Sequence, residues 1–165
     1  MKMTIKTGDR LPEATLLRMG TDGPEQVVLS DKLENRKVVI VGLLGAFTGL
    51  CSSAHVPSFL ATYEGFMAKG VDEIICVSVN DPFVMQAWGE STGAAQKGLS
   101  MLADAESRFT TAIGMNFSAP AAGFVNRSRR YSMLVENGVV TILNEELERD
   151  LCDISGGETL LAAMG

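Results

Sequence analysis

The chain has few of the residues that build disulfide frameworks, metal sites or dithiol redox centres. It contains one histidine, one tryptophan and three cysteines in 165 residues. Three is an odd number, and the cysteines stand far apart, which suits a reducing compartment better than a disulfide framework. A C-x-x-C motif is absent, because Ala54 stands three positions after Cys51. The short ligand pairs typical of zinc sites are missing too, which argues against a zinc site built from Cys51, His55, Cys76 and Cys152.

Positive charge and long apolar runs are also scarce. Lys and Arg number 14 against 20 Asp and Glu, a formal net charge of −6 that opposes binding to nucleic acids and to anionic membranes. The longest apolar run, from Val38 to Phe47, is far shorter than the roughly 20 residues that a membrane span needs. The first ten residues contain no apolar stretch suited to secretion. We therefore expect a cytoplasmic protein that contacts neither nucleic acid nor membrane.

The composition and the order of the segments predict one α/β domain over residues 1–165. Hydrophobic residues make up 46% of the chain and charged residues 21%, which is enough for a core without stabilising crosslinks. Strand-like and helix-like segments alternate, so we expect a mixed central sheet flanked by helices. Asn137-Gly138 predicts a hairpin turn. The predicted strands are 37–44, 73–79, 99–103, 131–136 and 139–143, and the predicted helices are 51–67, 82–91, 105–113 and 157–164.

Cys51 is the first residue of the helix that follows the first predicted strand. In open α/β sheets, reactive groups gather at the carboxyl ends of strands, and the free N–H groups of a helix start favour a thiolate. Thr48, three residues earlier, has a hydroxyl that can donate to the thiolate and accept from a hydroxyl of a bound substrate. Because a lone cysteine is more often a small buried hydrophobe, Thr-x-x-Cys does not by itself identify a nucleophile.

Three segments of the chain resemble a known family. GAFTGLCSSAHVP, from Gly45 to Pro57, is similar to the active-site segment of type II peroxiredoxins, the atypical, peroxiredoxin-5-like subfamily. VDEIICVSVNDPFVMQAW, which starts at Val71, and RSRRYSM, which starts at Arg127, look like later segments of the same family, in the same order. The resemblance implies a thioredoxin-like fold and a thiol peroxidase that needs no metal or organic cofactor.

The resemblance assigns roles to three residues. Cys51 matches the peroxidatic cysteine, Thr48 the active-site threonine and Arg130 the active-site arginine. A guanidinium keeps its charge at working pH and has several donors, so it can stabilise the thiolate and orient the peroxide oxygens. Arg127 and Arg129 are expected to form a solvated or structural cluster instead.

Two positions depart from the family pattern. Leu44 stands where the family has a proline seven residues before the cysteine, and Gly49-Leu50 stands where relatives usually have proline or glycine followed by threonine. Leucine supplies an apolar wall beside the sulfur but does not fix φ as proline does. We expect peroxidase activity, with a peroxide sensor or a thioredoxin-fold chaperone of weak turnover as the alternatives.

The other cysteines and the histidine each have two interpretations. Cys76, within a predicted strand, is expected to be a core thiol, although related proteins sometimes carry a second redox cysteine there. Cys152 lies in a polar loop where some members place a resolving cysteine, so it is either a resolving thiol or a plain loop thiol. His55 is one helical turn after Cys51 and could be the base of a Cys/His dyad, but we favour a structural role.

The resemblance also implies partners. Hydrogen peroxide and small alkyl hydroperoxides are the expected substrates, and the reductant is glutathione with glutaredoxin, or thioredoxin. A homodimer formed through the loops around the active site is expected. Apolar residues that could supply its contact surface are Phe47, Pro82, Phe83 and Trp88.

Overall fold

A seven-stranded mixed sheet forms the centre of the fold. The structure, a computed structural model, describes residues 4–146, 148 and 151–165. Its strands are β1 (Thr15–Gly20), β2 (Gly23–Val28), β3 (Lys37–Leu43), β4 (Glu73–Ser78), β5 (Ser100–Ala103), β6 (Asn116–Ala119), β7 (Phe124–Ser128), β8 (Tyr131–Glu136) and β9 (Val139–Glu145). The sheet has the order β2-β1-β5-β4-β3-β8-β9, and β6 and β7 form a separate antiparallel pair.

The middle of the sheet is buried on both faces. β3 and β4 are parallel, as are β4 and β5, whereas β3 and β8 are antiparallel. The β-branched and aliphatic run of β3 is buried from Val38 to Leu43, as expected for a strand that is covered on both sides. Because successive side chains point to opposite faces, β3 contributes Val38 and Ile40 to one core cluster and Val39 and Val41 to the other.

Helices cover both faces of this sheet. They are α1 (Leu29–Leu33), α2 (Val56–Ala68), α3 (Pro82–Thr92), α4 (Ala94–Lys97), α5 (Arg108–Ala112) and α6 (Gly157–Ala163), with a π-helix (Cys51–His55) before α2 and a 3-10 helix (Pro120–Ala122) before β7. Apolar residues of α1 and α5 pack in one core cluster, and those of α2, α3, α4 and α6 pack in the other. Among the described residues, no helix is both long and apolar enough to cross a lipid bilayer.

The predicted mixed sheet with flanking helices is confirmed, with two local signals acting as expected. Asp81 caps α3, since its side chain accepts a hydrogen bond of 2.8 Å from the Val84 N–H. Asn137 and Gly138 both have positive φ and join β8 to β9. The pairs β1–β2 and β6–β7 and the short helix α1 were not predicted.

The helix that begins at Cys51 differs from the prediction. Its first five residues form a π-helix, in which the Val56 N–H donates to the Cys51 carbonyl five residues earlier. Pro57 is the second residue of α2, which directly follows the π-helix. The helix changes from π to α one residue before Pro57. Such π segments are frequent at functional sites.

Candidate active site

Cys51 lies at the carboxyl edge of the sheet, as the first residue of the π-helix that follows the turn after β3. Its side chain is fully buried in the same core cluster as Leu44. The connecting turn requires a positive φ of 64° at Phe47, which is unusual for a bulky residue, and the Phe47 side chain remains 57% exposed. The fold thus places an apolar wall around the Cys51 sulfur and an exposed aromatic ring on the turn above it.

Arg130 meets Cys51 because of the pairing between β3 and β8. Gly42 near the end of β3 stands opposite Tyr131 at the start of β8, so Arg130, the residue before Tyr131, lies close to the start of the π-helix at Cys51. The Arg130 Nη1 lies 2.9 Å from the Cys51 Sγ, and its Nε donates to the Leu151 carbonyl at 3.0 Å. Arg130 is only 2% exposed, so its positive charge acts on the sulfur with little screening by water. This contact places a positive charge directly beside the Cys51 sulfur.

Thr48 lies in the turn as predicted, but its hydroxyl has a different partner from the one expected. The Thr48 Oγ1 donates to the Gly45 carbonyl at 2.7 Å, so its one proton is not directed at the thiolate. The lone pairs of the same oxygen remain acceptors. Thr48 can accordingly accept a hydrogen bond from a peroxide hydroxyl, which is the second of the two roles expected of it.

Arg127 and Arg129 do not form the cluster that was predicted. The Arg127 Nη1 donates to the Leu44 carbonyl at 3.3 Å and fills the space that a Cβ at Gly45 would need. Arg129 points elsewhere, since it pairs with Glu145 and donates to the Gly114 carbonyl at 2.8 Å. Arg127 therefore supports the backbone of the turn before Cys51, and the glycine at position 45 makes room for it.

Trp88 also supports the site, a role that the sequence did not indicate. Its indole is fully buried, and the Nε1–H donates to the Ser52 Oγ at 2.8 Å, directly beside Cys51. The expectation that Trp88 and Pro82 contribute to a surface patch is therefore wrong, because both are buried in this fold. Phe83, 61% exposed, stays on the surface.

His55 is a buried neutral residue. Burial, together with the positive charge of Arg130, lowers the pKa of His55 to about 3. Its Nε2 lies 3.1 Å from the Ser155 carbonyl, which can only accept, so the proton is on Nε2. A histidine with so low a pKa is a poor general base. The structural role is the one that the geometry supports.

The two other cysteines lie in different environments. Cys76 is fully buried in β4 opposite Val41, and burial raises the pKa of its thiol far above the ordinary value. Cys152 is half-buried next to Leu151, whose carbonyl holds Arg130. Burial raises the pKa of Cys152, and the charge of Arg130 partly opposes this rise. Within residues 4–146, 148 and 151–165, no three His, Cys, Asp or Glu side chains could hold a metal ion together.

The sequence matches one family along nearly its whole length. A family model described as Redoxin matches residues 6–161. The chain is 42% identical over 161 residues to peroxiredoxin-2C of Oryza sativa subsp. japonica, a match that covers 97% of this chain and 98% of that protein. It is also 42% identical over 165 residues to the chloroplastic peroxiredoxin-2E-2 of the same plant, covering 98% of this chain and 73% of that protein.

Solved structures give the same result. Reduced Prx3 from Vibrio vulnificus in complex with hydrogen peroxide superposes with a TM-score of 0.92 and 41% identity, covering 98% of this chain and all of that one. Peroxiredoxin 5 from Alvinella pompejana superposes with a TM-score of 0.84 and 31% identity, covering 97% of each chain. The fold is therefore the predicted thioredoxin-like one. The chain belongs to the redoxin family and is, like these relatives, a type II peroxiredoxin, a thiol peroxidase.

Proposed function

We propose that Cys51 is the peroxidatic nucleophile of this thiol peroxidase and that Arg130 is the group that activates it. The observation that carries the proposal is the 2.9 Å contact between the Arg130 Nη1 and the Cys51 Sγ inside a buried site. Hydrogen bonds to charged groups are roughly twice as strong as neutral ones, so the contact favours the thiolate over the thiol. Cys76 has no comparable contact with a cation among the described residues.

The reaction begins with attack of the Cys51 thiolate on one peroxide oxygen. A sulfur–oxygen bond forms while the oxygen–oxygen bond breaks, and the leaving oxygen takes up a proton to become water or an alcohol. The sulfur is oxidised by two electrons to a sulfenic acid, and the peroxide is reduced by two. The relative from Vibrio vulnificus was crystallised with hydrogen peroxide, which supports this molecule as a substrate here. Small alkyl hydroperoxides follow by the same chemistry.

Thr48 and Leu44 complete the proposed substrate site. The free lone pairs of the Thr48 Oγ1 accept the peroxide O–H, while the guanidinium of Arg130 stabilises charge that develops on the oxygens. Leu44, 4% exposed and in the same core cluster as Cys51, keeps water from the sulfur in place of the family proline. This apolar wall supports turnover rather than the sensor or chaperone alternative.

The sulfenic acid is reduced by thiols. One thiolate attacks the Cys51 sulfur and releases water, which leaves a disulfide, and a second thiol restores Cys51. We propose glutathione with glutaredoxin, or thioredoxin, as the reductant. Cys152 is the candidate for the first thiol within this chain, because it adjoins the Leu151 carbonyl that holds Arg130.

A homodimer and a cytoplasmic location remain predictions. The exposed rings of Phe47 on the active-site turn and Phe83 at the start of α3 would supply apolar contacts for a second copy. Sedimentation of the reduced protein would decide the oligomeric state.

Substitution of single cysteines tests the proposed nucleophile. Cys51→Ser should abolish peroxide consumption, whereas Cys76→Ser, the matched control for loss of a buried thiol, should retain most of it. Mass spectrometry after one equivalent of hydrogen peroxide should find the added oxygen, or the disulfide that follows from it, at Cys51. Peroxide consumption by Cys51→Ser at the wild-type rate would refute the assignment.

A further inference from the structure

Glu146, the residue directly after β9, binds the segment that carries Cys152. Three donors converge on its Oε2, namely the Asp153 N–H at 3.0 Å, the Ser155 N–H at 3.1 Å and the Ser155 Oγ at 2.6 Å. The side chain is only 5% exposed. Burial opposes ionisation of this carboxyl, but the hydrogen bonds from Ser155 and Asp153 outweigh it and lower the pKa of Glu146. A buried carboxylate with this many donors is a built contact and not a solvated surface charge.

The bound segment is also the one that holds Arg130. The Leu151 carbonyl accepts from the Arg130 Nε at 3.0 Å, while the Arg130 Nη1 reaches the Cys51 Sγ. The backbone of Glu146 contributes as well, since its N–H donates to the Arg130 carbonyl at 2.9 Å. Glu146 therefore contacts Arg130 directly through the backbone and indirectly through the segment from Leu151 to Ser155.

The far end of the segment is tied to the helix that follows Cys51. The Ser155 carbonyl accepts from the His55 Nε2, and the Gly157 N–H donates to the Ser58 Oγ at 3.0 Å. Ser155 is fully buried. It joins two sides of the site, with the carboxylate of Glu146 on its N–H and hydroxyl and the imidazole of His55 on its carbonyl.

We propose that Glu146 is a positioning residue of the peroxidase reaction: its carboxylate fixes residues 153–155, this keeps the Leu151 carbonyl against the Arg130 Nε, and the guanidinium thereby stays directed at the Cys51 sulfur. A guanidinium is planar, so fixing the Nε also fixes the direction of the Nη1. The proposal rests on the proposed function of Cys51 and Arg130. It adds a residue that touches neither the sulfur nor the peroxide.

The direction in which the pH profile of Cys51 shifts when Glu146 is replaced distinguishes the positioning role from a simple effect of the carboxylate charge. The Glu146 carboxylate acts electrostatically on Cys152 and His55, so its charge is felt in the site. A negative charge by itself disfavours a nearby thiolate, and its removal would make Cys51 ionise more easily. If Glu146 instead positions Arg130, its removal loosens the guanidinium and makes Cys51 ionise less easily. The two effects shift the pH profile in opposite directions.

Glu146→Gln is the decisive variant, because it keeps the shape of the side chain and removes the charge that strengthens the three bonds. Glu145→Gln is its matched control, since Glu145 is the preceding residue and pairs with Arg129, which does not contact the site. Ser155→Ala is a second test that removes one of the three bonds and no charge. For each protein, stopped-flow fluorescence of Trp88, the one tryptophan, would follow oxidation of Cys51 by hydrogen peroxide. Alkylation of Cys51 by iodoacetamide, located by peptide mapping, would be measured as a function of pH.

We expect Glu146→Gln to be oxidised about tenfold more slowly than the wild type, as for weakening of one charge-stabilising donor. Its alkylation profile should shift to higher pH, Ser155→Ala should change in the same direction by less, and Glu145→Gln should match the wild type. A shift to lower pH, or a rate equal to that of Glu145→Gln, would overturn the positioning role while leaving the proposed function intact. If hydrogen peroxide does not oxidise Cys51 in the wild type, the proposed function fails and this proposal with it.

Discussion

Because His55 is buried and neutral, the free energy of unfolding should depend on pH between about 7 and about 5. Side chains of other types with ordinary pKa values do not titrate in that range. The folded protein holds His55 without a proton until the pH falls to about 3, because the ring is buried and lies near the charge of Arg130. The unfolded chain protonates the same ring near pH 6.5. His55 is the only histidine in the chain.

The sign follows from proton binding. Between the two pKa values, the unfolded state binds one proton more than the folded state, so the free energy of unfolding falls as the pH is lowered. The slope approaches about 1.4 kcal/mol per pH unit, which amounts to about 2 kcal/mol between pH 7 and pH 5. The carboxyls with lowered pKa values, such as Glu73 and Glu146, lose their contribution only as the pH falls below about 4.5. Above pH 5, the change in the free energy of unfolding with pH therefore comes mainly from His55.

Urea unfolding of the wild type and of His55→Gln, at several pH values from about 7 to about 5, measures this contribution. Glutamine offers an amide N–H toward the Ser155 carbonyl but takes up no proton in this range. The wild type should lose about 2 kcal/mol more than the variant over the window. Equal losses in the two proteins would refute the assignment of His55 as a buried neutral residue, whatever their absolute stabilities.

Three further predictions concern single substitutions in the site and in the strand that leads to it. Arg130→Lys should slow oxidation of Cys51 by a factor of about 10², because an ammonium cannot reproduce the planar fork that serves two acceptors; stopped-flow kinetics at equal peroxide would show it. Gly42→Ala should lower the free energy of unfolding by about 1–3 kcal/mol, because the Tyr131 ring occupies the space of the added methyl, and an unchanged urea midpoint would contradict this packing. Leu44→Pro should raise the rate of Cys51 oxidation or reduce its overoxidation, because proline fixes φ at the start of the turn, and equal behaviour of the two proteins would show that leucine replaces the proline fully.

The elements that the sequence predicted are those with strong local signals. β3 and β4 are apolar runs buried on both faces, and the cap of α3 and the turn between β8 and β9 depend on residues that act within a few positions of themselves. β1 and β2 lack such a signal, since β2 is an edge strand, β1 lies next to it, and much of their surface is exposed. They pair with each other as a hairpin, and only Leu17 of β1 pairs with a distant strand, opposite Ala103 of β5, so no apolar run marks them in the sequence.

The site divides in the same way. Cys51 and Thr48 are three residues apart in the sequence, so the local sequence was enough to bring them together. Arg130 is 79 positions from Cys51, and only the family resemblance linked them before the β3–β8 pairing explained why they meet. The roles of Arg127 and Trp88 depend on tertiary contacts with the turn, and nothing in their own neighbourhoods indicates them. Gly45 is the one local sign of a close contact, because a glycine leaves the space beside the turn that the Arg127 guanidinium occupies.

The segment from Leu151 to Ser155 offers different groups to the two halves of the catalytic cycle, which are the oxidation of Cys51 and the reduction of its sulfenic acid. In the proposed mechanism, oxidation of Cys51 uses the Leu151 carbonyl to hold Arg130, and this backbone group is present whatever side chain stands at position 152. If Cys152 is the resolving thiol, its side chain must approach Cys51, and we expect the neighbouring Leu151 carbonyl to move with it and to leave Arg130 without this acceptor. That loss comes when Cys51 is already a sulfenic acid and no longer a thiolate that needs a guanidinium. In this proposal the first half of the cycle depends on the backbone of the segment and the second on a side chain, so Cys152→Ser should slow resolution and leave the rate of Cys51 oxidation unchanged.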